Sequence, residues 1–290
     1  MLLVAGGQLD PNIGGLLRRI LERKVSFRDL LVGSELIPRV TIDIRSRSLV
    51  LAGEGIRPSA CFIRHDVFLH QKSGLNTDHT SALNWFYAIR GWALGNPSVR
   101  IFNRHSYLSE NNKIENLCFA VKCGLSIPDT IVTNEFALDR KADWIQKPVA
   151  GGSLTTTLKD FLEDDSESKI YARFLQCRMK RPELRIYRIG SVLIGFDVSS
   201  PELDYRKTNE ATIQLTEVPA NIATRLLEFA DLLGLDFAAA DFMRDENGDL
   251  HFLEINSQPM FAAFDRVANG KLADAIIDHL LRPQITGSTD

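Results

Sequence analysis

Residues Ala238–Pro259 read AAADFMRDENGDLHFLEINSQP, a pattern that predicts a β-hairpin. Two runs with strand character flank Asp245–Gly248, and the residue types of that segment are those of a tight turn. The side chains expected on one face of the hairpin are all apolar: Ala238, Ala240, Phe242, Leu253 and Ile255. The hairpin is therefore expected inside a sheet that is covered on both sides.

The other face of the hairpin carries oxygen-bearing side chains. The expected pairing sets Arg244 opposite Asp249. Asp241 then faces Phe252, and the two-residue period of a strand fixes which side chains share this face. They are Asp241, Glu254 and Asn256. Because burying two carboxylates is costly without a compensating partner, this face needs an explanation.

A hard divalent cation would explain the two carboxylates. Diagonal neighbours across an antiparallel pair lie roughly 7–8 Å apart, so Asp241 and Glu254 can converge on one ion with Asn256 beside it. Oxygen-only ligands, completed by phosphates and water, are the set that Mg²⁺ prefers. An ordinary hairpin whose acids point to solvent explains the same spacing, and the spacing alone leaves both interpretations open.

The order of these residues resembles that in the ATP-grasp ligases. The resemblance is to the branch with glutathione synthetase, the RimK-like ribosomal-protein glutamate ligases and the peptide-cyclising graspetide ligases. That branch carries Asp on one strand and E-x-N-x-x-P on the next, and here Asp241 is followed by the motif at Glu254–Pro259. The resemblance implies an α/β (α+β) ATP-grasp fold with an Mg²⁺ site at the hairpin.

Composition restricts the function classes. The chain has 290 residues and a formal net charge of -3, which gives no electrostatic case for binding nucleic acid. No run approaches the roughly 18 apolar residues of a membrane span, and the start of the chain lacks the features of a signal peptide. The four cysteines show no metal or disulfide spacing. We expect a cytoplasmic protein that binds neither nucleic acid nor membrane.

Residues 1–100 are expected to form an N-terminal α/β domain, because short apolar runs alternate there with helical patterns. Gly6-Gly7 lacks a complete phosphate-loop pattern and is interpreted as a tight turn. Arg64-His65-Asp66, at the end of a predicted strand, is a candidate substrate contact, since ligands of open α/β sheets gather at strand ends. A surface polar cluster is the preferred interpretation of these three residues.

Residues 101–170 are expected to form the central ATP-grasp subdomain. A helix that begins at Lys113 and ends at Gly124, with Ile114, Leu117, Cys118 and Val121 at helical spacing, precedes a Pro-x-Thr turn and resembles the family's entry to this subdomain. The resemblance implies that Lys113 binds nucleotide phosphate. Lys147 ends a short strand before a glycine loop, and a cation followed by flexible backbone N–H groups suits a triphosphate. In the family the matching lysine and loop bind ATP, which carries that role to Lys147, Gly151, Gly152 and Ser153.

Residues 171–290 are expected to form the C-terminal subdomain with the Mg²⁺ site. A strand over 170–175 leads into a position that matches the family's adenine-binding hinge, which implies that Phe174 and Leu175 contact the nucleotide. The acidic residue that usually holds the ribose near this hinge is missing. A last helix over 271–281 is expected to cover the sheet.

Two arginines are the candidate catalytic residues. Glu183-x-Arg185 matches the family's D-x-R strand with Glu in place of Asp, and Asp204-Tyr205-Arg206 resembles the D-W-R segment of graspetide ligases. The guanidinium groups of Arg185 and Arg206 can hold a carboxylate or a transferring phosphoryl group.

The resemblance implies an ATP- and Mg²⁺-dependent ligase that activates a carboxylate as an acyl phosphate and joins it to an amine or hydroxyl. The D-W-R-like segment favours a ribosomally made precursor peptide as substrate. There are three alternatives to this function. The chain is a small-molecule amino-acid or dipeptide ligase, a catalytically inactive ATP-grasp protein that binds nucleotide or peptide, or an unrelated structural α/β protein. A homodimer is compatible with the sequence, which does not fix the oligomeric state.

Overall fold

The computed structural model describes residues 1–33, 38–68, 76–106, 112–136, 143–149, 155–164, 170–200 and 211–283. The chain forms two compact units, one of Met1–His105 with Met260–Asp290 and one of Ser106–Pro259. The sequence predicts a different kind of division, into an N-terminal domain at 1–100 and two ATP-grasp subdomains at 101–170 and 171–290. That division stays a prediction. No helix of the described ranges is long and apolar enough to cross a membrane.

The described residues form sixteen strands and seven helices. The strands are β1 (Leu2–Gly7), β2 (Phe27–Val32), β3 (Val40–Asp43), β4 (Ser48–Leu51), β5 (Glu54–Ile56), β6 (Ala60–Ile63), β7 (Arg100–Ile101), β8 (Thr130–Thr133), β9 (Trp144–Pro148), β10 (Thr156–Thr157), β11 (Arg173–Cys177), β12 (Lys180–Ile189), β13 (Val192–Ser199), β14 (Thr212–Thr216), β15 (Phe237–Arg244) and β16 (Leu250–Asn256). The helices are α1 (Pro11–Glu22), α2 (Asn76–Leu94), α3 (Lys113–Lys122), α4 (Leu158–Glu163), α5 (Ala220–Leu232), α6 (Ala262–Val267) and α7 (Lys271–Leu281). This mixture confirms the α/β (α+β) class.

The first unit is built on a four-stranded parallel sheet in the order β2-β1-β6-β7. The run Leu2-Leu3-Val4 is fully buried, as expected for a central parallel strand covered on both faces. Ile89 and Trp92 of α2 pack in one core with Leu3 of β1. A separate antiparallel sheet contains β3, β4 and β5.

Helix α1 begins where its sequence provides a cap. The Asp10 carboxylate accepts a hydrogen bond of 2.8 Å from the Asn12 N–H, and Pro11 occupies the first turn, where its missing N–H costs nothing. Three residues at helical spacing are buried: Ile13, Leu16 and Ile20. Leu21, the next residue along the helix, is 62% exposed.

The last helix, α7, has the bounds expected from the sequence. It packs within the first unit, where it contacts α1 and β6. The Arg19 guanidinium of α1 donates to the Asp274 carboxylate at 2.6 and 2.9 Å, and Arg23 adds a contact of 3.1 Å to the same group. The sheet that α7 covers is therefore the parallel sheet of the first unit, and not the sheet that contains the Ala238–Pro259 hairpin.

The second unit contains two antiparallel sheets. The smaller has the strand order β10-β9-β11-β8, and the larger has the order β14-β13-β12-β15-β16. The expected hairpin is present as β15 and β16 at one edge of the larger sheet. Both predicted site lysines and the hairpin carboxylates lie in this unit.

Helices α3 and α5 cover one face of the larger sheet, where Leu117 and Phe229 share a core with residues of β15 and β16. In α5, Ile222, Leu226 and Phe229 are buried at helical spacing. Of the apolar residues that the sequence places at helical spacing in α3, Leu117 is buried, whereas Ile114 and Val121 are exposed, as is Cys118. The helix also buries Asn116 and Ala120.

Candidate active site

The hairpin register differs from the expected one. Arg244 pairs with Leu250 rather than Asp249, and the loop between them is closed by the Asp245 carboxylate, which accepts from two backbone N–H groups at 2.9 Å. A bulge then shifts the pairing between Phe242 and Asp241. Leu253 is the extra residue, since Phe242 pairs with Phe252 and Asp241 with Glu254.

The bulge changes which side chains oppose one another but preserves the predicted carboxylate face. Asp241 lies directly opposite Glu254 instead of diagonal to it, and Asn256 lies opposite Ala239 on the same side of the sheet. Asp241 is buried, whereas Glu254 and Asn256 are half-buried. The core face receives Phe252 in place of the expected Leu253.

Arg185 is the partner of Asp241. The two residues are directly opposed in the β12–β15 pairing. The Arg185 Nε donates to Asp241 Oδ1 at 2.7 Å and Nη2 donates to Oδ2 at 2.8 Å, which is the two-pronged geometry of a strong charge-assisted pair. Burial raises the pKa of Asp241, and the neighbouring guanidinium opposes that rise.

Lys147 lies near the end of β9, directly opposite Phe174 of β11. Its Nζ donates to the Gln176 side-chain oxygen at 3.4 Å, and the Gln176 amide in turn donates to Thr130 Oγ at 3.0 Å. Gln176 is buried, so the Lys147 ammonium is in contact with a buried side chain of the same small sheet.

The charges around Lys147 show which predicted residues the fold brings together. Burial lowers the pKa of the Lys147 ammonium, and the carboxylate of Glu254 opposes this most strongly. The cation of Lys113, at the first turn of α3, lowers that pKa further. Glu183 and Asp241 raise it. Two lysines and three carboxylates from α3, β9, β12, β15 and β16 therefore act on one another in this unit.

Glu183 was not among the predicted site residues. It precedes Arg185 by two residues on β12, so the two side chains share the face opposite the core residues Leu184 and Ile186. Burial and then the negative charge of Asp241 raise the pKa of Glu183 to about 7, and Arg185 acts in the opposite direction. The alternation of charged and apolar residues along β12 is the signal that could have identified it.

Arg181 extends the same stripe by two further residues. Its Nη1 lies 3.7 Å from Glu183 Oε2. Arg181, Glu183 and Arg185 thus place side chains of alternating charge type along the first half of β12.

The donor types at the hairpin fit a hard divalent cation. Asp241, Glu254 and Asn256 offer only oxygen ligands on one face, as Mg²⁺ prefers. In the part of the chain that the structure describes, no group of three or more His, Cys, Asp or Glu side chains is arranged to hold a metal ion. The expected set contains two carboxylates and an amide, and its role as a metal site stays a prediction.

The remaining predicted nucleotide contacts fall in two classes. Gly151, Gly152, Ser153 and Arg206 lie outside the described residues. Phe174 and Leu175 lie inside β11, which pairs with both β8 and β9, and the strand continues to Cys177. The connection to β12 is Arg178-Met179, and the assignment of Phe174 and Leu175 to the adenine-binding hinge stays a prediction.

Arg64-His65-Asp66 is not a surface cluster, contrary to the preferred interpretation. Arg64 and Asp66 are buried, and Arg64 Nε donates to Asp10 Oδ2 at 2.6 Å. Gly7 belongs to the same neighbourhood, because a Cβ there would lie 2.1 Å from Asp66 Cγ. These residues form a packed polar site in the first unit, at the end of β6.

The chain is similar to known proteins in sequence over a short stretch and in structure over nearly its whole length. No protein-family model matches the chain. Over 74 residues it is 31% identical to the probable alpha-L-glutamate ligase 2 of Hahella chejuensis, a stretch that covers 26% of this chain and 24% of that protein. The chain thus spans about a quarter of the length of this curated relative.

Similar solved structures cover nearly the whole chain. The macrocyclase MdnC of Microcystis aeruginosa, bound with the precursor peptide MdnA, has a TM-score of 0.77 at 20% identity over 97% of this chain and 99% of its own. The ATP-grasp ligase PsnB, complexed with minimal precursor, Mg and ADP, has a TM-score of 0.74 at 20% identity over 97% of this chain and 98% of its own. The chain has the ATP-grasp fold. The expected ATP-grasp fold is therefore confirmed.

Proposed function

We propose that this chain is an ATP-dependent ligase that joins a carboxylate to an amine or a hydroxyl through an acyl phosphate. One observation carries the proposal: Lys113 and Lys147 act electrostatically on the same small region as Asp241 and Glu254. An ATP-grasp fold that gathers cations and carboxylates from five elements has the charges needed to bind a triphosphate and its cation.

The reaction follows from the groups present. A substrate carboxylate oxygen attacks the γ-phosphorus of ATP, ADP leaves, and an acyl phosphate forms. The amine or hydroxyl of the acceptor then attacks the carbonyl carbon, and phosphate leaves. Lys113 and Lys147 offset negative charge on the phosphates, and Arg185 holds the carboxylate or the transferring phosphoryl group. Arg206 is proposed for the same task.

Three residues would hold the cation: Asp241, Glu254 and Asn256. Bound there, Mg²⁺ would supply positive charge that offsets the negative charge developing on the phosphates. The nucleotide contacts proposed with it are Phe174, Leu175, Gly151, Gly152 and Ser153. No protein nucleophile is required in this scheme, because ATP supplies the activated group.

A ribosomally made precursor peptide is the proposed substrate. Two of the solved structures that share the fold along their whole length, MdnC and PsnB, are complexed with precursor peptides. The Asp204-Tyr205-Arg206 segment, which resembles that of graspetide ligases, supports the same substrate class. The proposed location is the cytoplasm, and the proposed oligomeric state is a homodimer.

The activity is tested by incubating the protein with ATP, Mg²⁺ and the precursor peptide encoded nearest to its gene. Each bond formed removes one water from the peptide mass and releases one ADP and one phosphate. Hydroxylamine added during turnover should trap the acyl phosphate as a hydroxamate on the same carboxylate. Release of AMP and pyrophosphate instead would replace the acyl phosphate by an adenylate and contradict the proposal.

Site variants assign the activity to these residues. Asp241→Asn and Glu254→Gln should abolish ADP release, since each removes a proposed cation ligand while preserving size. Glu228→Gln on the exposed side of α5 is the matched control and should turn over like the wild type. Unchanged ADP release in both site variants would move the cation site elsewhere.

A further inference from the structure

The proposed function gives two opposite tasks to residues that hold each other. Asp241 is assigned to a cation, and Arg185 to an anionic group of the substrate. In this structure both oxygens of Asp241 accept from Arg185, at 2.7 and 2.8 Å, and both residues are at most 8% exposed. While this pair persists, the Nε and Nη2 donors of Arg185 and both oxygens of Asp241 face each other rather than a ligand.

The pair has a clear electrostatic reason. A carboxylate that is buried in a sheet is costly without a cation beside it, and the guanidinium supplies that cation. A divalent cation at the hairpin would supply more positive charge to the same carboxylate. It would also repel the guanidinium, because like charges in a poorly solvated site interact strongly.

A second carboxyl group, that of Glu183, lies near Arg185 within the site. Glu183 lies two residues earlier on the same face of β12, and the positive charge of Arg185 lowers its pKa. A guanidinium released by Asp241 would therefore stay in the site rather than move to solvent. It would then face the region where a substrate carboxylate or a phosphoryl group is proposed to bind.

Resting on the proposed function, we propose that Arg185 and Asp241 form a latch that the divalent cation opens. Cation binding to Asp241 and Glu254 displaces the guanidinium, and the freed fork of Arg185 becomes the binding group for the substrate anion. The anion site is thus completed only after the cation has bound. This order prevents the carboxylate from occupying the site in the absence of the metal nucleotide.

The latch is tested by the Arg185 Nε–H signal in nitrogen-edited NMR of the full chain. Without cation, this proton should exchange slowly with water, because it is donated to a buried carboxylate. Titration with Mg²⁺, alone and then with a non-hydrolysable ATP analogue, should shift the signal and speed its exchange at least about tenfold. Arg185→Gln assigns the signal by its disappearance.

Arg188 provides an internal control on the same strand. Its Nε donates to the Gly190 carbonyl at 2.9 Å, and its side chain is buried like that of Arg185. Arg188 lies three positions after Arg185, so the two side chains lie on opposite faces of β12. The Arg188 Nε–H signal should not respond to Mg²⁺.

The Asp241→Asn variant should release Arg185, so that the Arg185 Nε–H proton exchanges fast without any cation. A second readout is binding of inorganic phosphate, which should strengthen at least about tenfold on adding Mg²⁺ in the wild type but not in Arg185→Gln. An unchanged Arg185 signal, together with Mg²⁺ binding that is lost in Asp241→Asn, would overturn the latch and leave the proposed cation site intact. Mg²⁺ binding that is the same in wild type and Asp241→Asn would overturn both the latch and that site.

Discussion

Replacing Glu183 by glutamine should change how stability depends on pH. Burial and the charge of Asp241 raise the pKa of Glu183 from 4.5 to about 7 in the folded chain. Because a tenfold change in proton affinity is worth about 1.4 kcal/mol, ionising this carboxyl costs roughly 3 kcal/mol more in the folded chain than in the unfolded chain.

The sign of the effect is fixed by which state binds more protons. Between pH 4.5 and about 7 the folded state holds the Glu183 proton more tightly than the unfolded state does. The contribution of Glu183 to stability is therefore fully present below pH 4.5 and is lost as pH rises through about 7. Glutamine has no proton to lose, so the variant should become more stable relative to the wild type as pH rises across this window.

The assay is urea unfolding of both proteins in metal-free buffer at several pH values. The difference in unfolding free energy, variant minus wild type, should increase by about 2–3 kcal/mol from pH 4.5 to pH 8 and level off above about 7. Glu228→Gln, on the exposed side of α5, should give a flat difference. A flat difference for Glu183→Gln as well would refute the electrostatic description of the site.

Two further predictions concern the first unit. Gly7→Ala should lower the free energy of unfolding by about 1–3 kcal/mol, because its Cβ would lie 2.1 Å from the buried Asp66 carboxyl. Gly14→Ala in α1 should raise the free energy of unfolding by roughly 0.5–1 kcal/mol, because its Cβ would meet nothing within 4 Å. Urea unfolding of both variants checks the pair, and equal effects would contradict the packing. Asn12→Ala should cost about 1–3 kcal/mol, since Asn12 Oδ1 accepts from the Phe261 and Ala262 N–H groups at 2.6 and 2.8 Å, and these donors would lose their partner. Thermal unfolding of Asn12→Ala measures this loss of stability, with Asn84→Ala at an exposed position of α2 as the control. A negligible loss in Asn12→Ala would show that water replaces the Asn12 side chain as the acceptor.

The hairpin could be predicted from the sequence, but its register could not. Phe252 and Leu253 are adjacent apolar residues, and either can face the core. The choice is made by packing, since the Phe252 ring lies 5.1 Å from that of Phe229 and 5.6 Å from that of Phe242, with edge-to-face geometry. Filling this aromatic cluster requires the bulge at Leu253, and no local pattern encodes a partner on α5.

The same limit explains the other corrections. Arg64 was assigned to a surface cluster, but it is buried beside Asp10, which lies 54 residues earlier in the chain. In α3 the core contains Leu117 and Ala120, while the apolar Ile114 and Val121 are exposed. Both outcomes depend on contacts between distant segments, which local periodicity does not determine.

The candidate site was more predictable, because its motifs depend on spacing along single strands and helices. Lys113, Lys147, Asp241 and Glu254 were each identified locally, and the fold gathers them in one unit. Glu183 was overlooked since its importance depends on the charge of Asp241 on the neighbouring strand. The sequence does not reveal that Arg185 and Asp241 hold each other, because their pairing is a property of the sheet.

The most direct test of the proposed nucleotide site is thermal unfolding with and without a non-hydrolysable ATP analogue, each with and without Mg²⁺. A ligand at a hundred times its dissociation constant should add about 2.7 kcal/mol of stability. We expect this stabilisation in the wild type and in Glu228→Gln only when nucleotide and Mg²⁺ are both present, and we expect its loss in Glu254→Gln and Lys147→Met. No stabilisation of the wild type under saturating nucleotide and Mg²⁺ would contradict the ligase proposal.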